Sequence, residues 1–220
     1  MSARTPAKGA YRSGIRAQQA EATRRAVLAA ASDLFAIRGY AGTSIEAIAE
    51  AAGVSRSTVF TAAGGKPWLL KTAYDQALIG DDSPVPLTGR PESQNLQALD
   101  DGAEVIAVYA NILARIMAGV SALYEVVRTA AGTDTDVAAL WADIGRQRRE
   151  GARQVAALLA AAGALTSRLT PERAADVITV YNDPGLHRHL VGERGWAYDD
   201  FRDWLARALH RELLTDGSPG

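Results

Sequence analysis

Residues 43–60 read TSIEAIAEAAGVSRSTVF, and this stretch decides the fold of the N-terminal part of the chain. The run Thr43-Ser44-Ile45-Glu46 has the pattern of a capping box, in which the Thr43 hydroxyl and the Glu46 carboxylate satisfy backbone donors at the start of a helix. Gly53 ends this short helix, and Ser55 is an N-cap for a second one. Two short helices separated by a glycine-containing turn predict a helix-turn-helix.

The small and apolar residues within this stretch fit two crossing helices. Ala49 is small enough to let the two helices approach closely. Val54 and Val59 are expected to pack both of them against the helix that precedes them in the chain. That earlier helix is predicted over about residues 17–38 from a one-faced apolar stripe. The stripe consists of Val27, Leu28, Ala31, Leu34 and Phe35.

The composition is that of an ordinary globular protein, with 220 residues of which 48% are hydrophobic and 22% charged. Without cysteine the chain has no disulfide, no thiolate metal site and no cysteine nucleophile. The first 75 residues carry ten Lys and Arg against five Asp and Glu, whereas the remainder carries 14 against 20. This asymmetry indicates a basic module for a polyanion joined to an acidic body, with statistical scatter as the alternative.

The rest of the chain is predicted to be helical, because no stretch shows the period-two alternation of a β-strand. Residues 1–16 lack periodicity and carry four bases, which predicts a mobile basic arm before a helix-turn-helix domain over 17–65. A larger helical domain follows over 66–220, and its first helix, 66–79, is a connector. The fold class is therefore all-α.

Within the larger domain, apolar stripes predict a series of helices after a Pro- and Gly-rich loop over 80–93. They fall at about 105–120, 120–131, 134–162, 170–181 and 183–193, with a last helix capped by Asp199 or Asp200. No apolar run reaches the roughly 20 residues of a membrane span.

Aromatic and aliphatic residues of the middle helices are numerous enough to line a ligand cavity, with plain core as the alternative. The candidate ligand-binding residues are Tyr109, Ile112, Leu113, Ile116, Met117, Tyr124, Trp141, Ile144 and Tyr181.

The helix that Ser55 opens is the candidate reading element, since a helix fits the major groove of DNA with its N-terminal residues toward the base edges. Its exposed side chains are predicted to be Arg56, Ser57, Phe60 and Thr61. Arg56 suits a bidentate contact with guanine, while Phe60 and Thr61 suit a thymine methyl group. A solvated surface residue is the alternative for Arg56.

About residues 20–75 resemble the DNA-binding domain of the TetR family of transcriptional regulators. The motifs that carry the resemblance are LFAIRGY at 34–40, TSIEAIA at 43–49, AGVSRSTVF at 52–60 and KPWLL at 66–70. The resemblance implies that Thr43 and Ser44 form a phosphate clamp and that Lys66 contacts phosphate. For Thr43, structural capping is the alternative role.

The chain departs from the family pattern at three positions. The family usually has Tyr at Phe60, His or Tyr at Ala62 and Phe at Ala63, so two of its common backbone contacts with DNA are missing. The basic arm offers compensation, because its cations can neutralise phosphates. A different seating of the reading helix in the groove is the other outcome that these departures allow.

A single reading module contacts too little DNA for operator affinity, so a two-fold dimer is predicted. Family analogy places the interface in the last helices, and packing inside one subunit is the alternative. The apolar face there consists of Val177, Val180, Tyr181, Trp204, Leu205, Ala208 and Leu209.

These features predict a ligand-responsive, DNA-binding repressor in the cytoplasm. Its expected partners are double-stranded DNA, a small apolar or amphipathic effector and a second copy of the chain, with no cofactor, metal or membrane. An enzyme is disfavoured because His187 and His189 lie two apart and share no helical face, and no GxSxG, P-loop or dinucleotide motif occurs. The alternative is a partner-binding regulator whose reading helix, with Phe60, Ala62 and Ala63, no longer reads DNA.

Overall fold

The structure is a computed structural model that describes residues 8–80 and 91–215. Over these ranges the chain folds into ten helices and no strand, which confirms the all-α prediction. It divides into two compact units, Met1–Tyr74 and Asp75–Gly220, which we call the N-terminal and C-terminal units. The helices are α1 Lys8–Arg38, α2 Ile45–Ala51, α3 Arg56–Ala63, α4 Lys66–Ile79, α5 Pro91–Gln97, α6 Gly102–Ala130, α7 Thr135–Ala161, α8 Pro171–Tyr181, α9 Pro184–His187 (continuing as a π-helix, Arg188–Glu193) and α10 Tyr198–Leu213.

The first helix is longer than its apolar stripe. It begins at Lys8, whereas the sequence predicts a start near residue 17. The added residues include Lys, Ala and Arg, which favour a helix without needing a buried face, so the lack of periodicity was misleading there. Residues 1–7 of the predicted basic arm lie outside the described residues.

The start of α2 differs by one residue from the predicted capping box. Ser44 is the N-cap, and its hydroxyl accepts a hydrogen bond from the Ala47 N–H at 3.1 Å. Thr43 is only 1% exposed, and its hydroxyl lies 2.8 Å from the Gly39 carbonyl oxygen and 3.1 Å from that of Leu34. The prediction that Thr43 caps α2 is therefore wrong, since its hydroxyl donates to the end of α1 instead.

The turn between α2 and α3 depends on Gly53. The Gly53 N–H donates to the Glu50 carbonyl at 3.1 Å, and the Val54 N–H donates to the Ala49 carbonyl at 3.0 Å. These two bonds form a Schellman motif, with Gly53 in the left-handed region at φ 66°. A residue with a Cβ would be strained there, so this glycine fixes the angle at which the chain enters α3.

The first three helices pack pairwise around one apolar core. Val59 of α3 is fully buried in it, and Val54 is half-buried. From residue 16 onward, where burial is described, the other buried residues of the unit are Val27, Leu28, Ala31, Phe35, Thr43, Ile45, Ile48, Ala49, Ala63, Leu69, Leu70, Ala73 and Tyr74. Because one side of α3 is held by this core, its opposite side remains open to solvent.

The helix α4 runs from the N-terminal unit into the C-terminal unit. Near its end it approaches α6 so closely that a Cβ added at Gly119 would lie 2.6 Å from the Ala77 carbonyl oxygen. The two backbones therefore meet without a side chain between them.

The central helix of the C-terminal unit is α6, which packs against α5, α7, α9 and α10. It is long and apolar enough for a membrane span, and half of its apolar stretch is buried inside the protein. The sequence predicts a break near residue 120, but the helix is continuous because Gly119 alone lowers helix propensity without stopping the helix.

The last helix begins at Tyr198, with Ala197 as an N-cap that makes no side-chain bond. The prediction that Asp199 or Asp200 caps it is therefore wrong. Both carboxylates lie in its first turn, where negative charge interacts favourably with the helix dipole.

Candidate nucleic-acid interface

The outward face of α3 presents four polar and aromatic side chains close together. Arg56, Ser57, Phe60 and Thr61 are all exposed, as the sequence predicts, while Val59 on the other side is buried. Phe60 is 46% exposed, which is unusual for a large apolar side chain. A buried anchor under an exposed first turn is the arrangement that a groove-reading helix needs.

The hydroxyl groups at the start of α3 are linked to one another. Ser55 Oγ accepts the Thr58 N–H at 3.1 Å and lies 2.8 Å from Ser57 Oγ and 2.8 Å from Thr58 Oγ1. The Thr61 hydroxyl donates to the Ser57 carbonyl at 2.9 Å. Since a hydroxyl has one donor and two acceptor sites, these links fix the side-chain rotamers and still leave acceptor positions for DNA.

Arg56 lies between two other side chains. Its Nη1 forms an ion pair with Glu46 Oε1 of α2 at 2.9 Å, and its Cζ lies 5.7 Å from the centre of the Phe60 ring. The side chains of Arg56 and Glu46 are 65% and 59% exposed. The sequence indicates only a capping role for Glu46, because residues ten positions apart give no signal of contact across a turn.

Of the predicted phosphate clamp, only Ser44 is at the surface. The Thr43 side chain is buried and its hydroxyl donates to the end of α1, so it does not cap α2, and its contact with phosphate stays a prediction. Ser44 is exposed at the N-terminus of α2, where free N–H groups and the helix dipole favour an anion.

Two cationic side chains elsewhere in the N-terminal unit lie over aromatic rings. Lys66 Nζ lies 4.1 Å from the centre of the Tyr40 ring, and Arg24 Cζ lies 5.2 Å from that of Trp68. Such contacts hold a long side chain in place while it keeps its charge. The sequence motif indicates Lys66 but not the pair of Arg24 and Trp68, because nothing in their spacing pairs a residue of α1 with one of α4.

The two alanines that depart from the family pattern lie toward the inner side of α3. Ala63 is buried and Ala62 is half-buried. Neither carries a group that can bind phosphate, so contacts from this helix must come from its exposed face.

The candidate ligand-binding residues lie mostly in the core of the C-terminal unit. Tyr109, Leu113, Met117, Tyr124 and Ile144 are buried, and burial raises the pKa of Tyr109. The half-buried members of the set are Ile112, Ile116, Trp141 and Tyr181. Their role in lining a cavity stays a prediction.

Arg148 of α7 joins three helices through contacts that the sequence does not predict. Its three nitrogens donate at 2.9 Å each: Nε to the Asn182 carbonyl, Nη2 to the Thr179 carbonyl and Nη1 to the Tyr124 hydroxyl. Tyr124 in turn packs on Trp141, with ring centroids 5.0 Å apart. Only 17% of the Arg148 side chain is exposed, so it fastens α6 and α7 to the C-terminal end of α8.

An open groove of about 260 Å³ lies between α6 and α10. It shares no residue with the candidate ligand-binding set. Its lining consists of Ala103, Ile106, Ala107, Ala206, Arg207 and His210.

An apolar face on α8 and α10 is partly open to solvent, with Val177, Tyr181 and Trp204 half-buried. Val180 is 67% exposed, and the Trp204 ring lies 6.3 Å from Tyr181 and 6.1 Å from Trp196, centre to centre. With Val177 these residues form what we call the α8–α10 apolar face. Three further residues of the predicted dimer seam are buried within the subunit, as the alternative of intrasubunit packing predicts: Leu205, Ala208 and Leu209.

Comparison with known proteins agrees with this geometry. Residues 27–72 match the family model for bacterial regulatory proteins of the tetR family. These residues include the helix-turn-helix and the first half of α4. A search of curated proteins finds no match.

Solved structures of similar fold cover most of the chain. NalD of Pseudomonas aeruginosa, the secondary repressor of the MexAB-OprM multidrug efflux pump, is 25% identical over 91% of this chain and 100% of NalD, with a TM-score of 0.58. A transcriptional regulator of Saccharomonospora viridis, solved in complex with choline, is 19% identical over 87% of this chain and 97% of its own, with a TM-score of 0.66. The fatty acid degradation regulator FadR of Bacillus halodurans is 15% identical over 84% and 93%, with a TM-score of 0.63.

Proposed function

Because this chain is a TetR-family transcriptional regulator, we propose that it is a cytoplasmic repressor that binds a palindromic operator as a dimer and releases it when a small molecule binds. The observation that carries the proposal is the exposed face of α3. Arg56, Ser57, Phe60 and Thr61 there offer donors, acceptors and an apolar ring to a base-pair edge.

The proposed contacts with DNA fall into two groups, those to bases and those to phosphates. Arg56 and Phe60 read bases, because a guanidinium matches guanine O6 and N7 and an aromatic ring suits a thymine methyl group. Ser44 and Lys66 bind phosphates, which fixes the position of the domain on the duplex but carries no sequence information. The excess of basic residues in the first 75 residues adds affinity that falls with salt.

The dimer forms through the α8–α10 apolar face. A contiguous exposed apolar face marks an interaction site on a soluble protein. A two-fold dimer pairs the same face of both copies, so Val180 and Trp204 would become buried together.

The effector binds among the candidate ligand-binding residues around the stacked pair Tyr124 and Trp141. The Arg148 guanidinium lies 5.6 Å from the centre of the Tyr124 ring. A cation such as the choline of the Saccharomonospora viridis regulator would be repelled there, so we propose an uncharged or anionic amphiphile. The effector must bind more tightly to one arrangement of the two α3 helices than to the other. A ligand with equal affinity for both arrangements would not change DNA binding.

The signal passes from α6 to α4. The effector displaces α6, and the backbone contact of Gly119 with Ala77 moves the end of the connector helix. In the dimer this changes the separation of the two α3 helices away from the half-site spacing of about 34–36 Å.

Selection of bound DNA from a randomised pool tests the proposal. The wild-type chain should enrich a palindrome. Arg56→Ala should then reduce the preference for that palindrome, whereas Lys66→Ala should weaken binding to palindrome and scrambled duplex alike. Equal losses on both duplexes for both variants would contradict the division of roles.

The same selection decides the alternative function. A pool without enrichment would favour a partner-binding regulator whose α3, with Phe60, Ala62 and Ala63, no longer reads DNA.

A further inference from the structure

We propose that Glu46 is a positioning residue for sequence reading: its carboxylate holds the Arg56 guanidinium toward the base edges and thereby sets the preference for guanine at one position of each half-site. This inference rests on the proposed DNA-binding function.

The geometry of the pair supports this role. Glu46 lies in the first turn of α2 and Arg56 in the first turn of α3, and their ion pair at 2.9 Å spans the turn of the helix-turn-helix. The Phe60 ring lies 5.7 Å from the same guanidinium. The guanidinium of Arg56 is therefore held by a side chain from each helix, although it is mostly exposed.

The Glu46 carboxylate accepts a hydrogen bond from its own backbone N–H at the start of α2 and also reaches Arg56. Ser44 already satisfies the Ala47 N–H at the start of α2. Hydrogen bonding from its own backbone N–H, followed by the charge of Arg56, lowers the pKa of Glu46, so the carboxylate is ionised at neutral pH.

An acidic side chain at this place is otherwise unfavourable. Glu46 is one of only five acidic residues among the first 75, and it lies beside the side chains that face DNA. A lone carboxylate there would repel phosphates. The ion pair with Arg56 offsets this repulsion.

Holding Arg56 also removes a competing contact. A free arginine on a DNA-facing surface has many phosphates within reach, and a phosphate contact carries no sequence information. The guanidinium has five N–H donors in a planar fork, so a contact through Nη1 to Glu46 leaves donors for guanine O6 and N7. Glu46 thus lowers the affinity for DNA of any sequence and raises the preference for guanine at one position.

The test uses three variants of the full-length chain. Glu46→Asp keeps the charge but shortens the side chain by one methylene, so it separates positioning from charge. Glu46→Ala removes both. Glu50→Ala is the matched control, because Glu50 is exposed on the same helix and loses the same charge.

Each variant is measured on three duplexes at one salt concentration: the sequence selected by the wild type, the same sequence with the Arg56-dependent G·C pair changed to A·T in both half-sites, and an unrelated duplex. We expect Glu46→Asp and Glu46→Ala to lower the preference for that G·C pair by about tenfold. Glu46→Ala should also bind the unrelated duplex more tightly, while Glu50→Ala keeps the wild-type preference.

Two results would overturn the inference in distinguishable ways. If the wild type selects a sequence but both Glu46 variants keep its preference for the G·C pair, only the role of Glu46 is wrong. If the wild type selects no sequence at all, the DNA-binding proposal fails and the role of Glu46 fails with it.

Discussion

Replacing Arg148 with methionine should destabilise the C-terminal unit strongly. Methionine fills most of the same volume but removes all the hydrogen-bond donors. The Thr179 and Asn182 carbonyls, both at the C-terminal end of α8, and the Tyr124 hydroxyl would each lose a bond of 2.9 Å. Because α8 carries part of the α8–α10 apolar face, the change should also loosen the proposed dimer.

The magnitude follows from the number and burial of these bonds. A hydrogen bond to a charged group contributes about 1.5–3 kcal/mol, and the variant loses three such bonds. Part of this loss in stability is offset, because the variant no longer has the desolvation cost of a mostly buried guanidinium. We expect a net loss of about 3 kcal/mol in the free energy of unfolding, which lowers Tm by about 6–12 °C in a unit of this size. Arg148→Lys should lose less stability than Arg148→Met, because its ammonium keeps the charge. It should still be less stable than the wild type, because the ammonium cannot reach all three partners.

Thermal unfolding followed by circular dichroism measures this effect. Arg149→Met is the matched control, since Arg149 is the exposed neighbour in the same helix, and it should change stability by less than about 0.5 kcal/mol. A Tm for Arg148→Met within the range of the control would refute the view that Arg148 fastens α8.

Three further changes test other parts of the molecule. Burial lowers the pKa of His187 below its usual 6.5, so the unfolded chain binds more protons; the free energy of unfolding should fall as the pH drops from 7 through 6.5, and a denaturant series on His187→Leu should show a flatter dependence. Val180→Glu should yield a folded monomer in sedimentation at micromolar concentration, because it places charge on the α8–α10 apolar face, and a persistent dimer would move the interface elsewhere. Gly119→Ala should cost about 1–3 kcal/mol in thermal melts by forcing α4 from α6, whereas Gly151→Ala, with open space around it, should not destabilise.

Local signals in the sequence predicted the helix-turn-helix well. The turn needs a residue with positive φ at Gly53, a hydroxyl at Ser55 and an apolar anchor at Val59, and each of these requirements acts within a few residues. The same local view misplaced the first cap, since Ser44 and Thr43 are chemically alike. Only the contact of Thr43 with the end of α1, through Gly39 and Leu34, distinguishes them.

Contacts between distant residues could not be predicted. Arg148 bonds to partners 24 to 34 residues away, and Glu46 meets Arg56 only after the turn has formed. An apolar stripe also does not say which residues remain exposed. Leu205 and Leu209 pack inside the subunit while Val180 remains outside, because the helices share their apolar faces unequally.

Methylation interference on the selected DNA tests the central claim most directly, because a methyl group on guanine N7 blocks only the major groove. We expect two symmetric positions, about 34–36 Å apart, at which methylation abolishes binding by the wild type but has little effect on Arg56→Ala. Binding that tolerates N7 methylation everywhere, or that depends on a single unsymmetric position, would contradict the account of a dimer reading DNA with α3.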